Sequence, residues 1–258
     1  MTARVVLLGS GIGYSASPAM HNAAFAALGL DWRYELRDVA AEFLADVLAE
    51  LRDGTLGGAN VTQPHKAAVI PLLDGLSEAA ERVGAVNTIV CAPDGTLRGE
   101  NTDLPALAEE LAELAQLGRF RRAVVLGRGG AARTAGAALD DAGASVMLIG
   151  RDHWSVIPEL LRGADLLVNA TPIGTLADAS PVPASLLRRD LAVLDLVYRP
   201  SPTRLVREAL AAGAAATTGA GVLLRQAARS LELWTGASAP LDVMREALQA
   251  ELGAAVNA

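Results

Sequence analysis

A lysine and an aspartate, each closing a short polar segment, are the residues best equipped for chemistry in this chain. Lys66 closes Asn60-Val61-Thr62-Gln63-Pro64-His65-Lys66, just after a proline-broken turn. Asp103 closes Asn101-Thr102-Asp103, at the head of a helical segment. A glycine loop, Gly127-Arg128-Gly129-Gly130, lies downstream. A Lys/Asp pair beside a dinucleotide-type loop can move a hydride to or from a carbonyl. One group protonates the oxygen, a second holds the first in place, and a cofactor delivers the hydride.

The glycine loop fits G-x-G-x-x-G/A, with Gly127, Gly129, Gly130, Ala131 and Ala132 in its frame. It follows the apolar strand Val124-Val125-Leu126 and opens a helix, which is the context the motif requires. Its glycines let backbone approach a pyrophosphate, and the helix N-terminus adds N–H groups and positive dipole. Cofactor choice is read about 20 residues on, after the next strand. There stands Ile149-Gly150-Arg151-Asp152. Arg151, with Arg133 nearby, suits the 2′-phosphate of NADP, whereas an acid suits the free 2′-OH of NAD. Both types are present; NADP is the expectation and NAD stays open.

Taken singly, these residues have plain readings. Lys66 could be a solvated helix lysine, and Asp103 a helix cap. Ser15 and Ser17 could be turn and cap residues, and Asn60, Asn87 and Asn101 strand-end asparagines. Together they make a crowd of hydroxyls and amides at the strand ends of one unit, with one lysine and one carboxylate. That suits a small polyhydroxylated substrate.

The elements that must position them alternate along the chain. Strands are expected at Val5–Leu8, Trp32–Leu36, Leu56–Val61, Ala85–Val90 and Leu97–Gly99, the last two flanking a Pro93-Asp94-Gly95 hairpin turn. A helix should start with Ser17 as N-cap and Pro18 as its first residue, and another should span Ala41–Leu51. Helix Leu104–Leu117, strand Val124–Leu126, a helix to Ala142, and strands Ser145–Ile149, Leu166–Asn169 and Leu191–Leu196 read as a second unit. Helices Val222–Trp234 and Pro240–Leu252 end the chain. The pattern predicts a two-domain α/β protein, the alternating second unit carrying a parallel sheet covered on both faces. Residues 1–103 plus 222–258 would form a substrate-binding and catalytic domain, and 104–221 a Rossmann-like dinucleotide-binding domain, with the active site in a cleft between them.

Bulk composition narrows the partners. At 258 residues, with 52% hydrophobic residues, the chain can bury substantial cores. A net charge of -7 and 3% aromatics argue against nucleic-acid or anionic-membrane binding. Cys91, the only cysteine, cannot form an internal disulfide and reads as a buried apolar residue. His21, His65 and His153 are scattered, so no metal site is expected. The start lacks a signal-peptide pattern, and no apolar run reaches the ~18–20 residues a membrane span needs. A cytoplasmic enzyme acting on a small molecule, as monomer or homodimer, is the expectation.

Over essentially its whole length the chain resembles the shikimate dehydrogenase family. The resemblance rests on ordered motifs: Tyr14-Ser15-Ala16-Ser17-Pro18 with His21-Asn22, the Asn60–Lys66 segment, Gly84-Ala85-Val86-Asn87-Thr88, and Gly99-Glu100-Asn101-Thr102-Asp103. After the glycine loop come Asn169-Ala170-Thr171-Pro172-Ile173-Gly174, Asp195-Leu196-Val197-Tyr198 with Pro200 and Thr203, and Gly219-Ala220-Gly221 through Gln226-Ala227. The resemblance implies reversible NADP-dependent reduction of 3-dehydroshikimate to shikimate, within aromatic amino acid (chorismate) biosynthesis.

It also implies roles. Lys66 and Asp103 would be the catalytic pair, with Lys66 giving the proton and Asp103 orienting it. Ser15, Ser17, Asn60, Thr62, Asn87, Tyr198 and Gln226 would line the substrate site beside them. Ser15, Ser17 and Tyr198 can donate to the substrate carboxylate, and Asn87, Asp103 and Gln226 can meet the ring hydroxyls. Gly127, Gly129, Gly130, Ala131, Arg133, Arg151, Thr171, Pro172 and Gly219 would hold the cofactor. Departures from the family pattern are Tyr14 for histidine, Gly150 for asparagine, Asp152 for a small hydroxyl residue and Val222 for methionine, with a short His153–Ala164 stretch suggesting a trimmed strand and helix. Relatives that use quinate or aminoshikimate, or NAD, remain alternatives, as does a silent ligand-sensing module of the same fold.

Overall fold

In the computed structural model the described residues are 3–115, 120–175 and 177–253. They divide into two units: one takes residues up to Thr102 and resumes at Leu224, the other is Asp103–Leu223.

The first unit is laid down as β1 (Ala3–Gly9), α1 (Ser17–Ala27), β2 (Trp32–Asp38), α2 (Leu44–Arg52), β3 (Gly58–Val61), β4 (Gly75–Leu76), α3 (Glu78–Val83), β5 (Thr88–Cys91) and β6 (Leu97–Glu100). Its six-stranded sheet has the order β2-β1-β3-β5-β6-β4. The β1, β2 and β3 strands run parallel, while β5 is antiparallel to both β3 and β6, so this sheet is mixed, with an antiparallel pair at the hairpin expected around Pro93-Asp94-Gly95. The cause is local: Asp94 and Gly95 turn the chain straight back, with Gly95 at φ 84, and a tight hairpin can only join antiparallel strands. Alternation along β1 sends Val6 and Leu8 into a core with Leu44, Val47, Leu48 and Leu51 of α2 and Ile89 and Leu97 of the hairpin.

The second unit continues with α4 (Asp103–Leu114), β7 (Arg122–Leu126), α5 (Gly130–Asp141), β8 (Ser145–Ile149), α6 (Ile157–Arg162), β9 (Leu166–Asn169), β10 (Ala192–Asp195), α7 (Arg204–Ala211) and β11 (Ala216–Thr218). Its five strands, ordered β11-β10-β9-β7-β8, are all parallel. Both faces are covered, which explains the unbroken apolar strands. Val125, Val168 and Leu194 pack on α4 and α5, while Val124, Leu126, Leu167 and Val193 pack on α6 and α7. Because β8 and β9 flank β7 on opposite sides, the order reverses beside the end of β7, where such sheets bind ligands.

Helix α8 (Ala220–Thr235) gives its residues from Leu224 onward to the first unit, as does α9 (Leu241–Leu252), which packs on α1. Trp234 of α8 lies over Gly58, where a Cβ would come within 2.5 Å of the indole, and its Nε1 donates to Ile89 O at 3.0 Å.

Several boundaries differ from the sequence reading. Ala16, not Ser17, flanks α1, with no side-chain cap; Ser17 is already helical. Residues 41–51 split into a 3-10 turn, Ala41–Phe43, and α2. Leu56–Gly57 and Ala85–Asn87 fall outside the strands. The expected end of α4 at Leu117 lies outside the described residues. The segment after β8 is not stripped of structure: a 3-10 turn, Arg151–Val156, leads into α6.

Candidate active site

Several of the residues expected to meet a substrate come from loops zipped together at the carboxyl ends of β1 and β3. Thr62 N donates to Leu8 O at 2.8 Å and Ser10 N to Gln63 O at 3.2 Å, so the loop after β1 and the turn after β3 share backbone bonds. Gly9 makes this approach possible: a Cβ there would lie 2.5 Å from Ile12 Cγ2 and 2.6 Å from Thr62 Cγ2. Within the β1 loop, Ser15 Oγ donates to Ser17 Oγ at 3.2 Å, which brings the two hydroxyls side by side.

Lys66 is half-buried in a turn, not on a helix. Its carbonyl accepts Val86 N at 2.8 Å, which fixes its backbone against the segment that carries Asn87. The neighbouring His65 is buried; its Nε2 lies 2.7 Å from Val39 O and anchors the turn to the end of β2. Asn87 is joined to Thr102 at both ends of its amide, and Thr102 directly precedes Asp103. Asp103 sits in the first turn of α4, where the helix dipole favours a carboxylate.

Asn60 is placed differently from the expectation that it lines a substrate site. It is 4% exposed, and its amide is used up internally. Its Oδ1 accepts Tyr34 Oη at 2.8 Å, and Nδ2 faces Asn87 O, Thr88 Oγ1 and Ser230 Oγ, each at 3.0 Å. Asn60 is thus an interior strut: a buried amide is stable only when satisfied, and here its partners are protein groups. Ser230 continues the network to Thr88 at 2.8 Å and to Thr102 at 3.2 Å, and its Oγ donates to the carbonyl of Gln226 one helical turn earlier. Gln226 is buried on α8 in this same unit. The sequence reading missed Tyr34, Ser230, His65 and Thr102 as supports. Ser230 has a signal in retrospect, four residues from Gln226, but its partners are far away in sequence.

The remaining predicted residues belong to the second unit. Gly127 holds φ 120, and a Cβ there would lie 3.0 Å from Ala170 O, so the loops after β7 and β9 close on each other only through glycine. Gly129 precedes α5 without a side-chain cap, and Gly130 begins it. The first-turn N–H groups of such a helix have no intrahelical partners and face outward for a phosphate. Ala131 lies in that turn, and Arg133 and Arg151 are exposed. A pyrophosphate cradle of this kind fits a dinucleotide.

After β9, Asn169 organises the Thr171–Gly174 loop. Its Oδ1 accepts Thr171 N at 3.1 Å and Thr171 Oγ1 at 2.7 Å, while Nδ2 donates to Ile173 O at 3.1 Å and Asp195 Oδ1 at 2.8 Å. Asp195 also accepts Val197 N at 3.1 Å and Thr203 Oγ1 at 2.7 Å. One buried carboxylate therefore ties together the Thr171–Pro172 loop, the Val197-Tyr198 segment and the start of α7. Burial pushes its pKa up to about 6 against the pull of these donors. Gly219 is required beside it, since a Cβ would lie 2.3 Å from Leu196 O. Among the described residues no group of His, Cys, Asp and Glu could hold a metal ion, and no helix is long and apolar enough to cross a membrane.

Comparison with known proteins bears on this arrangement. The family model described as shikimate dehydrogenase substrate binding domain matches residues 7–89, and that described as shikimate 5'-dehydrogenase C-terminal domain matches 219–249. A shikimate dehydrogenase (NADP(+)) of Halorubrum lacusprofundi is 42% identical, covering 95% of this chain and 98% of its own. The crystal structure of shikimate 5-dehydrogenase from Thermus thermophilus in complex with NADP(H) and shikimate superposes with a TM-score of 0.84 at 38% identity, covering 97% of this chain and 100% of its own. Quinate dehydrogenase from Corynebacterium glutamicum in complex with NAD gives 0.87 at 30% identity, covering 96% and 99%.

Proposed function

This chain belongs to the shikimate dehydrogenase family, and from that premise we propose that it catalyses the reversible NADP-dependent reduction of 3-dehydroshikimate to shikimate. The observation that carries the proposal is the near full-length similarity to NADP-dependent shikimate dehydrogenases, joined to an intact Lys66 and Asp103.

The unit that ends at Thr102 and resumes at Leu224 is the substrate side, and Asp103–Leu223 is the cofactor side. NADP(H), when bound, supplies or accepts the hydride. Lys66 gives a proton to the ketone oxygen in reduction and takes it back in oxidation. Asp103 orients the ammonium and accepts a hydrogen bond from a ring hydroxyl. Ser15, Ser17 and Tyr198 donate to the substrate carboxylate, for which adjacent hydroxyls are suited. Asn87 and Gln226 meet the ring hydroxyls, and Thr62, whose carbonyl accepts His65 N at 2.9 Å, opens the turn that leads to Lys66 and also lines the substrate site. Asn60 acts only through the turn it supports. On the cofactor side Gly127, Gly129, Gly130 and Ala131 hold the pyrophosphate, Arg133 and Arg151 the 2′-phosphate, and Thr171, Pro172 and Gly219 the nicotinamide end. Proton transfer of this sort contributes ~10²–10⁴ in rate.

Initial rates of reduced-nicotinamide formation test the reading, with shikimate and quinate each paired with NADP and NAD. Shikimate with NADP should turn over fastest. Turnover mainly of quinate, or mainly with NAD, would move the chain to the quinate-type relatives. No turnover with any pair would overturn the shikimate reading and point to an aminated substrate or a ligand-sensing module.

A further inference from the structure

The arginine inside the glycine loop has a berth built for it. Gly150, just after β8, has φ -77 and ψ 165, extended backbone that any residue adopts. Its backbone does not require glycine; the space does. A Cβ there would lie 2.8 Å from Arg128 Nε, 3.0 Å from Arg128 Cδ and 2.6 Å from Asp152 Oδ1. The Arg128 side chain therefore lies across Gly150. Its guanidinium reaches beyond it, where Nη1 donates to Asp152 Oδ2 at 3.4 Å. His153 Nδ1 lies 2.8 Å from Asp152 Oδ2. That hydrogen bond, reinforced by the Arg128 charge, holds the Asp152 carboxyl below the usual carboxylate range.

Two things follow. Asp152, the acid that a ribose 2′-OH would seek, is already engaged by Arg128 and His153. Arg128, from the end of β7, and Arg151, from the end of the adjacent β8, are both exposed at the carboxyl edge of paired parallel strands. That edge is where a dinucleotide fold reads the adenosine ribose.

We propose that Arg128 is a second reader of the NADP 2′-phosphate, berthed over Gly150 and anchored by Asp152, so that a guanidinium from each of two adjacent strand ends selects the phosphorylated cofactor. The chemistry is charge-assisted donation to phosphate oxygens. This rests on the NADP-linked reading above and adds the residue that sets cofactor specificity on this chain.

The test is calorimetric titration of NADP+ and NAD+ into the wild type, Arg128→Ala, Gly150→Ala and the double variant. Arg128→Ala should weaken NADP+ about 10–100-fold, the loss expected for charge-assisted bonds, and leave NAD+ nearly unchanged. Gly150→Ala, whose added methyl fits the backbone and displaces only side chains, should also weaken NADP+ selectively. In the Arg128→Ala background it should add nothing. An unchanged NADP+ to NAD+ ratio in Arg128→Ala would overturn the assignment. A Gly150→Ala effect that persists at full size in the double variant would overturn the berth. Shikimate turnover by the wild type is measured in parallel. Its absence would sink the shikimate reading, while the cofactor ratios would still decide the role of Arg128.

Discussion

Asn87 and Thr102 hold each other reciprocally: Asn87 Nδ2 donates to Thr102 Oγ1 at 2.8 Å, and Thr102 N donates to Asn87 Oδ1 at 2.8 Å. The pair fixes the residue immediately before Asp103 and holds the Asn87 amide that we propose meets the substrate hydroxyls. Asn87→Ala leaves the buried Thr102 N–H without its acceptor, at a cost of about 1–3 kcal/mol. It should lower the unfolding midpoint and reduce kcat/KM for shikimate at least tenfold. Unchanged kinetics in a destabilised variant would confine Asn87 to a structural role.

Lys66→Ala should lower kcat by about 10²–10⁴ while NADP+ affinity stays at the wild-type value, if the lysine acts, as we propose, on the oxygen and not on the cofactor. Steady-state rates combined with cofactor titration separate the two effects. Near-normal turnover would remove Lys66 from the proton step.

Gly9→Ala places a Cβ 2.5 Å from Ile12 Cγ2 and 2.6 Å from Thr62 Cγ2. The loops after β1 and β3 must then part, at about 1–3 kcal/mol of overpacking. Since these loops carry Ser15, Ser17, Thr62 and Lys66, the KM for shikimate should rise more than the KM for NADP+. Equal changes in both would mean that Gly9 serves general stability alone.

His21 is fully buried and stacked on Tyr34, with ring centroids 4.3 Å apart, and burial lowers its pKa to about 3. The folded chain keeps the ring neutral where the unfolded chain would protonate it. Its contribution to stability is therefore intact above the unfolded value of 6.5 and is lost as pH falls toward 3. His21→Leu should lose less stability than the wild type between those limits in urea unfolding at stepped pH. Parallel losses in the two proteins would contradict the buried neutral imidazole.

Asp195 works in the opposite direction. Its carboxyl is raised from 3.8 to about 6 by burial, so over that interval the folded chain binds the proton more tightly than the unfolded one. Its contribution is fully present below 3.8 and declines as pH rises through 6. Asp195→Asn removes the titration, and the Thr203 hydroxyl can reverse to accept from the new amide. The stability difference between wild type and variant should slope downward from about pH 4 to about pH 6; a flat difference would refute the shifted carboxyl.

Much of the site was legible because its motifs are contiguous. A glycine loop between an apolar strand and a helix needs only local geometry to be recognised, and Gly127 and Gly129 occupy the positions it specifies. The all-parallel second sheet followed from short runs of consecutive apolar residues, such as Val124-Val125-Leu126 and Leu166-Leu167-Val168, alternating with helices. The short elements were not legible: β4 has two residues and β11 three, too few to show a period. The burial of Asn60 was not legible, because a strand-end asparagine looks the same in sequence whether it faces solvent or a buried tyrosine.

The chemical inventory is written in short runs of adjacent residues: a lysine turn, a helix-heading aspartate, paired serines and a glycine-rich helix start. Tertiary structure decided which of these side chains stay available and which are consumed. Asn60 meets Tyr34, Asn87, Thr88 and Ser230, and Arg128 meets Gly150 and Asp152, across separations that no local pattern records. The physical reason is that hydrogen-bond satisfaction and close packing are properties of the space around a side chain, and that space is made by segments distant along the chain.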